Sequence, residues 1–210
     1  MKGSFRNTSF RLDTPMAELP PRKRIEDVEL LRALAHPLRS ALLNHLTAVG
    51  PRTASECADA VGSTASNCSW HLRQLAQCGL VERTDGEDGR ERPWRARQVG
   101  LELGEPADDP AHRAAQLGVI GAMLTHEQEL TQRYLDSLGD LDPAWRAAAG
   151  LSSYALRVTP EELIRLTEAI DALVRPYVGA IRADAPPAAR PVHVGLRAFP
   201  RIEHTGKAEA

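Results

Sequence analysis

Residues 36–97 read as three short helices followed by a charged two-stranded hairpin, an order that few folds accommodate. In the first helix, over 37–46, Leu38, Ala41, Leu42 and Leu46 share one face at helical spacing, and Pro37 sits in the first turn, where its missing N–H costs nothing. Gly50-Pro51 ends that helix. A second one starts at Thr53-Ala54-Ser55-Glu56, a capping box in which hydroxyl and carboxylate satisfy each other's orphan backbone N–H groups. It ends at Gly62, so two short helices are joined by a tight turn.

The third helix, expected over 64–78, has two different faces. Cys68, Leu72 and Leu75 are spaced four and seven apart and form an inward stripe. Ser66, Asn67, Trp70, Arg73, Gln74 and Gln77 fall opposite, a surface of amides, hydroxyls and one guanidinium without a carboxylate. Such a face can pair with base edges and phosphates without repelling them. Gly79 closes the helix, Leu80-Val81 returns to the core, and residues 82–84 begin a strand. The turn Asp85-Gly86-Glu87-Asp88-Gly89 then leads into a strand carrying Arg90, Arg92, Arg95 and Arg97, placed to meet the DNA backbone or the minor groove. The arrangement is that of a winged helix-turn-helix. The expected base-reading face is Ser66, Asn67, Ser69, Trp70, His71 and Arg73, with Arg90 and Arg92 on the wing. Trp70 has two open placements, stacked on a sugar or thymine methyl, or folded back against the wing.

The runs Ala33-Leu34-Ala35-His36-Pro37-Leu38-Arg39, Ser66-Asn67-Cys68-Ser69-Trp70-His71-Leu72-Arg73-Gln74-Leu75 and Gly79-Leu80-Val81 together resemble the ArsR-type winged-helix repressors, over about residues 25–97. The resemblance implies a homodimeric regulator that binds an imperfect palindrome in double-stranded DNA and releases it when an effector binds. It also exposes a departure. Metal-sensing members hold a Cys-x-Cys pair in the second helix of the run, and here those positions are Ala58 and Ala60. A second type of family site uses Asp, His and Glu on the dimer helix. The nearest candidates are Asp109, His112, His126 and Glu129, of which only His126 and Glu129 have one-face spacing. The expected effector is therefore not a thiolate-bound metal but a small organic molecule, with no cofactor. A metal-responsive repressor using His and Glu ligands is the alternative.

The remaining sequence frames this unit. Net charge is −2, yet residues 1–97 hold 15 Lys and Arg against 12 Asp and Glu, whereas residues 98–210 hold 11 against 16, so the positive half carries the motif. The three cysteines, 57, 68 and 78, form no Cys-x-x-Cys, which excludes a zinc ribbon and argues against a secreted disulfide scaffold. No apolar run approaches membrane-spanning length and the first 24 residues lack a hydrophobic signal core, so the expected location is cytoplasmic, with no membrane partner.

The expected class is mainly α with a small β component (α+β). Three segments are expected: a basic flexible arm over 1–24, a DNA-binding domain over 25–104, and a dimerisation and effector region over 105–210. The arm either tracks the minor groove or is a disordered or dimer-packing tail. A first helix is expected over 25–35, and a long one over 111–138 with Ala114, Leu117, Gly118, Gly121, Leu124, Tyr134, Leu135 and Leu138 as its apolar seam. That seam suits either a dimer helix or an intrachain core helix. Next comes a strand, helix, strand pattern: 151–158, a helix begun by Thr159-Pro160-Glu161-Glu162, and 192–199. It forms a small sheet, a ligand pocket or a larger dimer interface. Enzymatic motifs are lacking: no Gly-rich phosphate loop, no His-Glu-x-x-His, no Gly-x-Ser-x-Gly. A protein-binding adaptor and a small-molecule enzyme on the C-terminal half are the non-DNA alternatives.

Overall fold

The computed structural model describes residues 22–85, 92–179, 182 and 184–202. Residues 1–21 of the expected arm, and Arg90 of the expected wing, lie outside them. The elements run β1 (Lys23–Ile25), α1 (Val28–Leu34), α2 (Pro37–Val49), α3 (Ala54–Val61), α4 (Ala65–Gln77), β2 (Val81–Arg83), β3 (Trp94–Ala96), β4 (Leu101–Leu103), α5 (Pro110–Asp136), α6 (Pro143–Ala148) and α7 (Pro160–Val174).

Helix boundaries follow local chemistry. Asp27 caps α1 by accepting from Leu30 N (2.9 Å), and His36 caps α2 by accepting from Leu38 N through Nδ1 (3.2 Å), with Pro37 next. The α3 capping box is closed, with Glu56 N donating to Thr53 Oγ1 at 3.2 Å and Thr53 N to Glu56 Oε2 at 2.7 Å. Gly62 ends α3 in the left-handed region (φ 65°), where a side chain would be strained, and Ser63 N then donates to Ala58 O at 3.0 Å. Thr64 accepts from Asn67 N and starts α4 three residues after α3 ends.

One core holds these helices together. Leu31, Leu34, Leu42, Leu46, Cys57, Cys68, Leu72, Leu75 and Leu80 are buried, joined by Ile25 and Trp94 from the strands and by Ala115 and Val119 from α5. The inward stripe of α4 is thus the expected one. β2 and β3 pair antiparallel with Glu82 opposite Arg95, and Arg52 adds a bridge in which Trp94 N donates to Arg52 O (2.7 Å) and Arg52 N to Trp94 O (2.9 Å). Helices α2 to α4 with this hairpin form a winged helix-turn-helix, in an α+β whole.

The sequence reading needs two corrections, at the first helix and at the C-terminal strands. Ile25 does not start a helix: Lys23–Ile25 is a strand, paired parallel with Leu101–Leu103, and the helix begins only after the Asp27 cap. Gly118, in the seam that suits either a dimer helix or an intrachain core helix, packs within the chain on Ala35 at the end of α1, where an added Cβ would lie 3.1 Å from that methyl. The inward face of α5 instead carries Ala115, Gln116, Val119 and Ala122. The expected strands over 151–158 and 192–199, the short strand pair of the C-terminal region, do not form: both segments lack strand structure, although the helix between them is present with its capping box. An alternating pattern specifies a face, while a ladder also needs a partner edge, and none of the described residues supplies it.

Candidate nucleic-acid interface

The candidate surface is the side of α4 that faces away from the core. The same helix buries Cys68, Leu72 and Leu75 and leaves Ser66, Asn67, Trp70, Arg73 and Gln77 exposed, with Ser69 and Gln74 half-buried between. No carboxylate occurs along Ala65–Gln77, so nothing on the face repels phosphate. Two internal hydrogen bonds fix the longer side chains: Asn67 Nδ2 donates to Ser63 Oγ at 3.1 Å, and Arg73 Nη1 donates to Ser69 Oγ at 2.8 Å. The Asn67 amide keeps its carbonyl oxygen for a base edge, and the guanidinium keeps most of its five donors. Trp70 is 48% exposed and stands edge-on to the neighbouring His71 ring, with centroids 4.7 Å apart.

His71 is the one member of the expected reading face that does not lie on it. It is only 5% exposed, and its ring lies 4.5 Å from that of His36 at the start of α2. The reason is angular: His71 directly precedes Leu72 and follows Cys68 by three, at the edge of the buried stripe. Burial lowers its pKa, and His36 and Arg39 lower it further. Above about pH 6.5 the folded and unfolded chains both hold it neutral. As the pH falls below that value the unfolded chain takes up a proton that the folded site resists, so stability is lost on acidification. Thermal unfolding should show a melting temperature that drops between about pH 7 and pH 5, and drops less in His71→Asn. Equal pH slopes in the two proteins would contradict this assignment. His36, His45 and His126 are also shifted down by burial and supply the slope that remains.

The wing is more internally tied than its arginine spacing implies. Arg95 and Arg97 both reach Glu82, at 2.6 and 3.3 Å, and Arg83 lies over the Trp94 ring while donating to Arg92 O. Arg92 is exposed, just before β3. Arg52, which sequence reasoning passes over, ties the loop before α3 to the hairpin through Trp94. Its only signal is the short Pro51-Arg52 segment between the Gly50 stop and the Thr53 cap.

The cysteines stand apart from this surface. Cys57 and Cys68 are fully buried, and burial pushes the Cys57 thiol up to about 11, with Cys68 adding to the shift. Such a thiol is a poor ligand and a poor nucleophile. Among the described residues, no group of three or more His, Cys, Asp and Glu side chains is placed to hold a metal ion. No described helix is long and apolar enough to cross a membrane.

Residues 34–84 match the model of a helix-turn-helix domain family, which covers α2, α3, α4 and β2. No curated protein matches the chain. Among solved structures, a probable transcriptional regulator from Pseudomonas aeruginosa is 18% identical, with 68% of this chain and 88% of that one covered at a TM-score of 0.30. A MarR family transcription regulator is also 18% identical, with 71% and 78% covered at 0.29. A variant of Lactococcus lactis ZitR is 15% identical, with 72% and 82% covered at 0.28.

Proposed function

We propose that this chain is a sequence-specific DNA-binding transcriptional regulator of the ArsR-like winged-helix kind, not an enzyme, acting as a homodimeric repressor. The observation that carries the reading is the outward face of α4: polar, exposed, free of carboxylates and mounted on a fully buried apolar stripe. The helix-turn-helix match over residues 34–84 supports it. Ser66, Asn67, Ser69, Trp70 and Arg73 contact the DNA, with Asn67 and Arg73 pairing to base edges, while His71 braces the helix from behind. In this reading 25–104 is the DNA-binding domain and 105–210 serves dimerisation and effector binding.

A dimer is supported by α5. Its inward face is used on α1 and α2, while Leu117, Ile120 and Leu124 form a second apolar stripe that is exposed, Leu117 by 61%. Two copies related by a twofold axis present two α4 helices to successive major grooves, which fits an imperfect palindrome. Binding titrations test the reading, using the gene's own upstream DNA and a scrambled duplex at two salt concentrations. Preference for the upstream DNA at both salts is expected, and equal affinity for both duplexes would overturn it.

Arg90 and Arg92 contribute phosphate or minor-groove charge from the wing. Alanine at both positions should weaken specific and non-specific binding alike and lower the salt slope by roughly one to two units. An unchanged slope would remove them from the interface.

The effector is not a thiolate-bound metal: Ala58 and Ala60 offer no lone pair, and Cys57 and Cys68 are buried neutral thiols. A small organic effector, or DNA binding without one, is consistent with this. Arsenite, cadmium or zinc at stoichiometric levels should leave DNA affinity within about threefold, below the lower end of typical allosteric coupling. A reproducible tenfold drop abolished by Cys57→Ala or His126→Ala would contradict it.

A further inference from the structure

Three rings in series connect the start of α2 to the outward face of α4. His36 caps α2 with Nδ1 accepting from Leu38 N at 3.2 Å, so the neutral ring carries its hydrogen on Nε2. His36 reaches solvent, and its ring lies 4.5 Å from that of His71, whose own Nδ1 is buried without a hydrogen-bond partner. The His71 ring in turn stands at 84° to the ring of Trp70, which is exposed on the α4 face.

The surroundings of His36 disfavour a second proton. On Nδ1 that proton would turn the acceptor of the cap into a donor facing the Leu38 N–H. Its charge would sit at the positive end of the α2 dipole, beside a second imidazole and Arg39. Arg39 acts on both rings, and among the described residues no carboxylate acts on either. On α1, Glu29 is paired with Arg32; α4 carries no carboxylate, and its Arg73 is bonded to Ser69. Burial lowers the pKa of both histidines, and Arg39 lowers both further. The side away from α4 is pinned: Arg39 donates through Nε to Ala33 O and through Nη2 to Arg32 O (3.3 Å), and Ala35, just before His36, packs on Gly118 of α5. Displacement of the His36 ring is thus taken up by His71 and Trp70.

We propose that His36 and His71 are positioning residues for Trp70 and make DNA affinity depend on pH: with both rings neutral they hold Trp70 in its DNA-contacting place, and a proton on His36 opens the α2 cap and releases that hold. The inference rests on the DNA-binding reading of α4 given above and adds a means of regulating it. Its sign follows from the cap. Once the cap is open, His36 returns to its ordinary range near 6.5, so the released form binds the proton better than the capped form does. Affinity is therefore complete above about pH 6.5 and is lost as the pH falls below it. A histidine resting on phosphate would have the opposite sign, since its protonation adds a cation to the interface.

Anisotropy titrations of the full-length protein on the gene's own upstream DNA test the proposal, at about pH 8 and about pH 5.5 and constant ionic strength, with helical circular dichroism recorded at each pH. Wild-type affinity should fall at least about fivefold at the lower pH, within the range of typical allosteric coupling, while the helical signal is retained. In His36→Asn, whose amide oxygen caps a helix without titrating, the ratio of the two affinities should shrink to within about twofold. Trp70→Ala should flatten in the same way, because the contact that the histidines support is already gone. A ratio as large as the wild-type one in either variant would overturn the proposal. So would an affinity lost only in step with the helical signal, which is unfolding, or tighter binding at the lower pH, which would put a histidine on phosphate. No binding to any duplex at about pH 8 would overturn the DNA-binding reading itself.

Discussion

Replacing Leu72 with alanine is expected to destabilise the DNA-binding domain by about 2–5 kcal/mol, read as a lowered denaturant midpoint. Leu72 has no exposed surface and belongs to the same buried core as Leu42 and Leu46 of α2 and Cys68 and Leu75 of α4. Removing its branch leaves a cavity in the part of the core that aims α4, so DNA binding should fall with it. Trp70, two residues earlier, makes the informative control. It is half exposed, and Trp70→Ala should change stability by no more than about 0.5 kcal/mol while weakening DNA binding. Were Trp70→Ala the destabilising change and Leu72→Ala the harmless one, the faces of α4 would have been assigned backwards.

The second large effect is expected at Asn67 and Arg73. Alanine at either position should cost about 1–3 kcal/mol on the preferred DNA site and much less on random duplex, because a base-edge bond is lost while most phosphate contacts remain. Their side chains are held ready by Ser63 and Ser69, so little ordering is required when DNA arrives. Anisotropy titrations on both duplexes measure the difference. Equal losses on the two would make these residues backbone contacts, and a lowered melting temperature would place them in the packing.

What the sequence made legible was whatever a few adjacent residues decide. The capping box at Thr53, the hydroxyl cap and proline start at Thr159, the Gly62 turn and the Cys68, Leu72, Leu75 stripe all follow from spacing within one helix, and all are present. What escaped depends on distant partners. β1 and β4 are three residues each, parallel and far apart in the chain, without a shared turn to betray them. His71 has the neighbours of a groove residue, but the His36 ring and the core behind it decide its place. Gly118 lies in a seam whose spacing suits a dimer or an intrachain helix equally, and only the position of Ala35 shows that it packs within the chain. In 151–158 and 192–199 the alternation specifies a face without supplying the partner edge that a strand needs.

The central claim is that α4, presented twice by a dimer, reads sequence in the major groove. Selection from a random duplex library with the full-length protein tests it, and needs no operator to be chosen beforehand. The expected result is an inverted-repeat consensus whose half-sites are about 10–10.5 bp apart, centre to centre, or a multiple of that. Selection with Asn67→Ala or Arg73→Ala should relax particular positions within each half-site. Recovery of no consensus, or of one unaffected by either substitution, would contradict the assignment of this helix face.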